Sequence, residues 1–121
     1  IEMQDGNELN MKRVFFLTGK NSASASEAVI NALVPYLGAE NVITIGDFTH
    51  GKPVGMNGRV YGTNYYFLIN FFVKNNADAT TSFDGILPVC LAEDDITHLM
   101  GDENETMLKT ALHYIETDLC L

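Results

Sequence analysis

A serine-rich segment and a glycine-flanked lysine hold the side chains best suited to covalent chemistry. Residues 22–27 read Ser-Ala-Ser-Ala-Ser-Glu, between an apolar run and a helical pattern. A hydroxyl at such a turn lies against the N–H groups of a helix start, which favour developing negative charge. Lys52 follows within residues 46–55, Gly-Asp-Phe-Thr-His-Gly-Lys-Pro-Val-Gly. A neutral lysine amine, which burial favours, can take the proton of a nearby serine and activate it as a nucleophile.

Each segment also has an ordinary structural interpretation. Ser24 and Glu27 form the pattern Ser-x-x-Glu, a capping box that is commoner in ordinary helices than in active sites. A single lysine such as Lys52 is usually a solvated surface residue. The chemical interpretation therefore depends on whether the fold brings the two segments together.

The surrounding pattern predicts strand, helix and strand in succession. Residues 13–18 form a continuous apolar run typical of a buried parallel strand. Residues 28–37 place apolar side chains on one helical stripe, and residues 41–46 predict a second strand. Loops at the carboxyl ends of neighbouring parallel strands lie side by side. We therefore expect Ser24 at the start of the helix, with the Lys52 ammonium within several ångströms of its hydroxyl.

The rest of the chain continues an α/β pattern. Residues 47–58 are rich in glycine and predict a loop or a bulged hairpin. Residues 65–73 predict a long strand dense in aromatic side chains. A short extended piece at 89–91 and a helix over 105–119 complete the prediction. The fold class is α/β, built on a βαβ unit.

Size and charge exclude several classes of protein. The chain has 121 residues, 46% of them hydrophobic, which suffices for one small core. A net charge of −9 with only seven scattered basic residues argues against nucleic acid or an anionic membrane as the partner. No apolar stretch reaches the roughly 18 to 20 residues of a membrane helix. The chain begins at Ile1 rather than Met, and we expect it to be a piece of a longer protein.

The cysteines and histidines predict no metal or other cofactor. Cys90 and Cys120 allow at most one internal disulfide, and no metal-binding spacing is present. The favoured interpretation is two unpaired thiols, packed or partly exposed. The three histidines, at positions 50, 98 and 113, are too dispersed to form a recognisable ligand set.

The two motifs resemble those of the carboxy-terminal processing peptidases, also called tail-specific proteases. In that family a Thr/Ser-Ala-Ser-Ala-Ser-Glu segment opens the helix that bears the nucleophile, and a Thr-Phe-Gly-Lys segment after the next strand bears the lysine. Residues 22–27 and 49–52 match these segments, with His50 in place of the usual phenylalanine. The similarity continues in residues 84–88, Asp-Gly-Ile-Leu-Pro, and 99–102, Leu-Met-Gly-Asp.

The resemblance implies a fold and a set of roles. The fold would be a βαβ-containing fragment of a ClpP/crotonase-like peptidase domain, acting on polypeptides by acyl transfer. Ser24 would be the nucleophile, Lys52 the general base, and Glu27 a carboxylate that helps to hold the lysine. The backbone N–H of Ala25, next to the nucleophile, would be an oxyanion donor.

The resemblance also implies a context for the chain. Residues 1–121 would be the C-terminal part of the catalytic domain, without its first half or a PDZ-type domain, so we expect the chain alone to be inactive. An uncovered apolar face is then expected at Phe15, Phe16 or the aromatic run of 65–72, with homo-oligomerisation as one way to cover it. The implied location is the bacterial cell envelope or periplasm.

Three other interpretations are weighed against the peptidase. A non-catalytic binding domain on the same fold, as in the family's retinoid-binding relatives, would be indicated by loss of Ser24 or Lys52, and both are present. A P-loop at Gly19-Lys20 would need Gly and Ser or Thr where Val14 and Asn21 stand. A protein-interaction module remains open.

Overall fold

The predicted alternation of strand and helix is present in the computed structural model, which describes residues 10–121. The elements are β1 (Val14–Thr18), α1 (Ala25–Leu37), a short 3₁₀ helix (Ala39–Asn41), β2 (Val42–Gly46), β3 (Val54–Tyr61), β4 (Asn64–Phe72), β5 (Cys90–Leu91) and α2 (Thr106–Thr117). The chain is a mixed α/β structure, as its sequence predicts.

A parallel sheet of three strands forms the centre of the fold, in the order β1-β2-β5. Val14 of β1 pairs with Val42 of β2, and Ile45 of β2 pairs with Cys90 of β5. All five residues of β2 are buried, as expected for a central strand covered on both faces. Because β1 and β2 are parallel, the loops that follow them leave the same edge of the sheet.

The two helices cover opposite faces of this sheet. Phe15 of β1 packs edge-on against Tyr114 of α2, with 6.1 Å between ring centroids. Phe16, the next residue, lines a small cavity together with Ile30 of α1. Successive side chains of a strand point to opposite faces, so α1 and α2 lie on different sides. The buried cluster on the α2 side consists of Ile43, Ile45, Cys90 and Ala111.

A disulfide bond joins Cys90 of β5 to Cys120 beyond α2. The interpretation of two unpaired thiols was therefore wrong. The two cysteines are 30 positions apart in the sequence, and the segment between them includes the whole of α2, which packs on the sheet and carries its C-terminal end back towards β5. The spacing of the two cysteines in the sequence does not show that α2 brings Cys120 back to β5. The bond fastens the end of the chain to a cysteine that is only 1% exposed.

An antiparallel hairpin of β3 and β4, here called the β3–β4 arm (residues 54–72), forms a separate two-stranded sheet. A β-bulge lies between Gly55 and Met56, in agreement with the predicted bulged hairpin, although the sequence did not define β3 as a strand. All nine residues of β4 are exposed. Phe15 and Phe16 are only half exposed, so the expected uncovered apolar face lies on the arm.

Neither helix described for residues 10–121 is long and apolar enough to cross a membrane.

Candidate active site

The turn between β1 and α1 holds Ser24 in an unusual conformation. Ser24 is the N-cap of α1, as expected, and has φ 53° and ψ −106°. A positive φ costs a residue other than glycine about 1–3 kcal/mol, and such strain persists only where the surroundings enforce it. Strained turns between a strand and a helix can present a nucleophilic hydroxyl. Ser22 has a different part in this turn, since its hydroxyl accepts a hydrogen bond from the Gly19 N–H at 3.2 Å.

Ala25 supplies a backbone donor beside this serine. It is the first residue of α1, and the first four N–H groups of a helix have no carbonyl partner within the helix. The positive end of the helix dipole adds to their attraction for negative charge. Ala25 therefore presents, next to Ser24, a backbone N–H that has no carbonyl partner within the helix.

Glu27 connects the serine turn to the lysine loop. Its carboxylate is 1% exposed and accepts a hydrogen bond from the Ser24 N–H at 2.9 Å. The same carboxylate accepts from the N–H of Gly51 at 2.6 Å and from the N–H of Lys52 at 2.8 Å. A fourth bond comes from the Thr49 hydroxyl at 2.6 Å. Glu27 thus holds the backbone of both candidate catalytic residues at once.

These four donors determine the ionisation of Glu27. Burial by itself would raise the pKa of the Glu27 carboxyl, but the hydrogen bonds from Thr49, Lys52, Gly51 and Ser24 together hold that pKa below its ordinary value. A carboxylate that accepts several N–H bonds is favoured in its charged form. Protonation of the Glu27 carboxylate would place a hydrogen on an oxygen that already accepts hydrogen bonds. The link between the serine turn and the lysine loop therefore needs the ionised side chain.

Glu27 makes the capping contact that its pattern predicts, and its contact with Lys52 is made through the backbone. Its bond to the Ser24 N–H is the carboxylate half of a capping box. Its bond to Lys52 is made with the main-chain N–H. None of the four ion pairs in the described part of the chain involves Lys52, which is half-buried.

A second link between the two loops comes from the backbone of His50. Its N–H donates to the carbonyl oxygen of Ser22 at 2.8 Å. The serine turn and the lysine loop are therefore joined at each of residues 49–52, and the bond from His50 is made between main-chain groups alone. The βαβ topology accounts for this adjacency, because both loops leave one edge of a parallel sheet.

Thr49 extends the network to the segment 83–86. Its hydroxyl accepts a bond from the Ile86 N–H at 2.7 Å, and its own N–H donates to the Ile86 carbonyl at 3.2 Å. Since an N–H can only donate, the hydroxyl proton is left for Glu27. Sequence reasoning assigned no role to Thr49, and its place in the matched segment 49–52 was the signal that could have indicated one.

Two glycines allow this close contact between loops. Gly51 and Gly85 have φ of 80° and 86°, which L side chains rarely adopt. A Cβ atom on Gly51 would meet the Phe83 carbonyl, and one on Gly85 would meet the carbonyl of Thr49. The Asp-Gly-Ile-Leu-Pro similarity therefore has a local physical reason, which is the fit of residues 83–86 against the lysine loop.

A groove of about 1170 Å³ opens beside the serine turn. It is lined by Ser22 and Ser26 on either side of Ser24, and by Gly46 at the end of β2. Met107 and Leu108 of α2 give it an apolar wall. Ligands of open α/β sheets bind outside the carboxyl ends of the strands, where this groove lies. Neither Ser24 nor Lys52 itself lines it.

The described residues contain no group of three or more His, Cys, Asp or Glu side chains placed to hold a metal ion. His98 is paired with Asp95 at 2.7 Å, and His50 is exposed in the lysine loop.

Comparison with solved structures identifies a related protein. The chain is similar to part of the Putative S41 protease of Bacteroides fragilis NCTC 9343, with 30% sequence identity and a TM-score of 0.76. The match covers 92% of this chain and 29% of that protein. No protein-family model matches the sequence, and no curated protein matches it.

The similarity to this S41 protein concerns both the fold and the sequence. The fold is the one expected, a parallel β-α-β sheet of the ClpP/crotonase-like kind found in part of that S41 protein. The chain spans less than a third of the related protein's length. The chain is thus similar, in both fold and sequence, to part of an S41 protease.

Proposed function

We propose that this chain forms the C-terminal part of the catalytic domain of a serine endopeptidase of the tail-specific type. Ser24 is the nucleophile, Lys52 is the general base, and the substrates are polypeptides. The observation that carries the proposal is the Glu27 carboxylate, which bonds the backbone N–H of Ser24 and of Lys52 at 2.9 and 2.8 Å. A capping box alone would need only the first of these bonds.

The proposed chemistry is acyl transfer. Neutral Lys52 takes the proton of the Ser24 hydroxyl, and the resulting alkoxide attacks the carbonyl carbon of a peptide bond. The N–H of Ala25 donates to the oxyanion that forms. The amine product leaves with a proton returned by Lys52, and water then hydrolyses the acyl-enzyme. Glu27 takes no part in proton transfer and holds the two loops in register.

The location that we propose is an oxidising compartment, the bacterial cell envelope or periplasm. The Cys90–Cys120 disulfide supports this, because disulfides persist in exported proteins and are rare in the cytosol.

The dyad is tested in the longer polypeptide that we propose carries this chain. Ser24→Ala and Lys52→Ala should each abolish cleavage of an unfolded polypeptide, and the double variant should be no worse than either single variant. Residues that act as one unit show this non-additivity. Lys109→Ala, at an exposed lysine on α2, is the matched control and should retain full activity.

A chemical rescue experiment distinguishes loss of the Lys52 amine from loss of folding as the cause of inactivity. Lys52→Cys should be inactive, and alkylation with 2-bromoethylamine should restore part of the activity by rebuilding an amine at that position. The native cysteines are paired and do not react. Loss of activity without rescue would count against Lys52 as the base.

A binding domain without catalysis is the second candidate function. The β3–β4 arm, whose apolar side chains are exposed, is the observation that favours it. Tight binding of an unfolded polypeptide that is unchanged by Ser24→Ala, together with no cleavage by the unaltered protein, would support it over the peptidase.

A further inference from the structure

The groove beside the serine turn carries a concentration of negative charge. Five of its lining residues are carboxylates: Asp47, Glu93, Asp94, Asp95 and Glu105. Lys20 is the one lysine or arginine among the described residues that line it. With His98 neutral, five negative charges and one positive charge leave the lining at −4. Almost half of the chain's net charge of −9 therefore lies along this groove.

Glu93 and Asp94 are the carboxylates of the groove that are free to pair with a ligand. Asp47 already pairs with Lys20, and Asp95 with His98. Glu105 caps α2 by accepting two backbone N–H bonds. Within residues 10–121 neither Glu93 nor Asp94 takes part in an ion pair, and both are exposed. All seven lysine and arginine residues of the chain lie in that range, so no further basic side chain of these 121 residues can neutralise them.

Apolar side chains lie beside this charge. Leu91, Ile96 and Met100 line the groove and are highly exposed, in addition to the apolar wall that α2 provides. Its volume of about 1170 Å³ exceeds the roughly 300–1,000 Å³ of a pocket for a drug-sized molecule, so several residues of a polypeptide fit into it. A ligand that complements both features carries basic groups next to apolar ones.

The position of the groove favours the polypeptide substrate as its occupant. Ser22 and Ser26 line it on either side of Ser24, and a fixed part of the same polypeptide lodged there would obstruct the approach to Ser24. The negative charge repels nucleic acid. The carboxylates are also spread along the groove, since no three His, Cys, Asp or Glu side chains of the described part are placed to hold one metal ion.

We propose that this groove binds the substrate polypeptide and prefers segments in which lysine or arginine stands beside apolar residues. Glu93 and Asp94 determine the preference by pairing with the basic side chains, and the apolar lining holds their neighbours. This inference rests on the peptidase function proposed above. Two exposed ion pairs correspond to a preference of about tenfold at low salt.

Peptide binding to the Ser24→Ala variant of the longer polypeptide tests this preference without cleavage. The probes are three fluorescent peptides of one leucine-rich sequence, in which two central positions are both arginine, both glutamine or both glutamate. Fluorescence anisotropy measures the dissociation constants. The arginine peptide should bind about tenfold more tightly than the glutamine peptide, and the glutamate peptide should bind most weakly. Raising the salt concentration from about 50 mM to about 500 mM should reduce these differences, because exposed charges are screened.

Three further variants, each made in the Ser24→Ala background, identify the groups responsible. Glu93→Gln with Asp94→Asn should bring the dissociation constants of the arginine and glutamine peptides within about twofold of each other. Leu91→Ser should weaken the binding of all three peptides alike, because it removes apolar contact and no charge. The matched control is Glu103→Gln with Glu116→Gln, at two exposed carboxylates that do not line the groove. It removes the same total charge and should keep the tenfold preference.

The outcomes separate this inference from the peptidase proposal. Equal binding of the arginine and glutamine peptides would overturn the inference, and so would a preference that survives Glu93→Gln with Asp94→Asn or disappears in the control pair. If Glu93→Gln with Asp94→Asn lowers the stability in urea unfolding and leaves the preference unchanged, another part of the polypeptide occupies the groove, and the inference is wrong. Cleavage by the unaltered protein without any preference refutes the inference alone. A preference without any cleavage by the unaltered protein refutes the peptidase, and the groove then selects a bound polypeptide instead of a substrate.

Discussion

Replacing Glu27 by glutamine tests the link between the two loops with almost no change in shape. Each carboxylate oxygen accepts two hydrogen bonds, one pair from Thr49 and Gly51 and the other from Ser24 and Lys52. Glutamine has one carbonyl oxygen, and its NH₂ group would face two donors. Glutamine would therefore lose two of the four hydrogen bonds, and the two that remain would go to a neutral acceptor instead of a charged one.

The expected cost follows from these four bonds. A hydrogen bond to a charged group contributes about 1.5–3 kcal/mol, and a buried donor without a partner adds to the loss. Glu27→Gln should therefore lower the free energy of unfolding by about 3–5 kcal/mol, against a total of roughly 5–15 kcal/mol for a small domain. Urea unfolding followed by circular dichroism measures this difference. Glu116→Gln, at an exposed carboxylate on α2, should change it by less than about 0.5 kcal/mol.

The pH dependence gives the same prediction an independent check. The pKa of Glu27 is lowered in the folded chain, so its stabilisation is fully present above the unfolded carboxyl pKa of about 4.3. It is lost as the pH falls through the lower folded pKa. The gap in stability between the unaltered chain and Glu27→Gln should thus be constant near neutral pH and narrow below about pH 4. A gap under about 1 kcal/mol at neutral pH would refute the reasoning.

Three further predictions concern residues of the site and its support. Thr49→Val should raise the pKa of the Glu27 carboxyl, measured by carbon-13 NMR titration, because a donor is lost, whereas Thr49→Ser should leave it unchanged. An unchanged value in the valine variant would contradict the network. Cys90→Ser with Cys120→Ser should lower the free energy of unfolding by about 3–4 kcal/mol for a loop of this length, and a loss near zero would mean that the bond does not constrain the unfolded chain. Ser24→Gly should be about 1 kcal/mol more stable than Ser24→Ala in the same unfolding assay, because glycine adopts the positive φ without strain; equal stability would count against strain at Ser24.

Periodicity and topology predicted most of what positions the site. The apolar runs at β1 and β2 and the helical stripe of α1 defined a βαβ unit, and its handed, parallel geometry brings the loops after β1 and β2 together. The capping pattern at Ser24 and Glu27 correctly marked the start of α1. These features depend on local sequence, which is why a single sequence was sufficient.

Long-range contacts were beyond the same reasoning. The pairing of Cys90 with Cys120 depends on how α2 returns to β5, and the bond between Thr49 and Ile86 joins residues far apart in the chain. The roles of Gly51 and Gly85 depend on the same close approach. Neither residue type nor spacing specifies such contacts, because they arise only once the sheet has been assembled.

Cleavage by the Lys52→Arg variant tests the central claim most directly. The variant is made in the longer polypeptide, and release of peptides from an unfolded substrate is followed by mass spectrometry. Arginine keeps the positive charge and cannot be deprotonated in a protein, so it cannot serve as a base. The account predicts cleavage by the unaltered protein and by Lys109→Arg, and none by Lys52→Arg. Full cleavage by Lys52→Arg would contradict the dyad and would point to His50 in the same loop as the base.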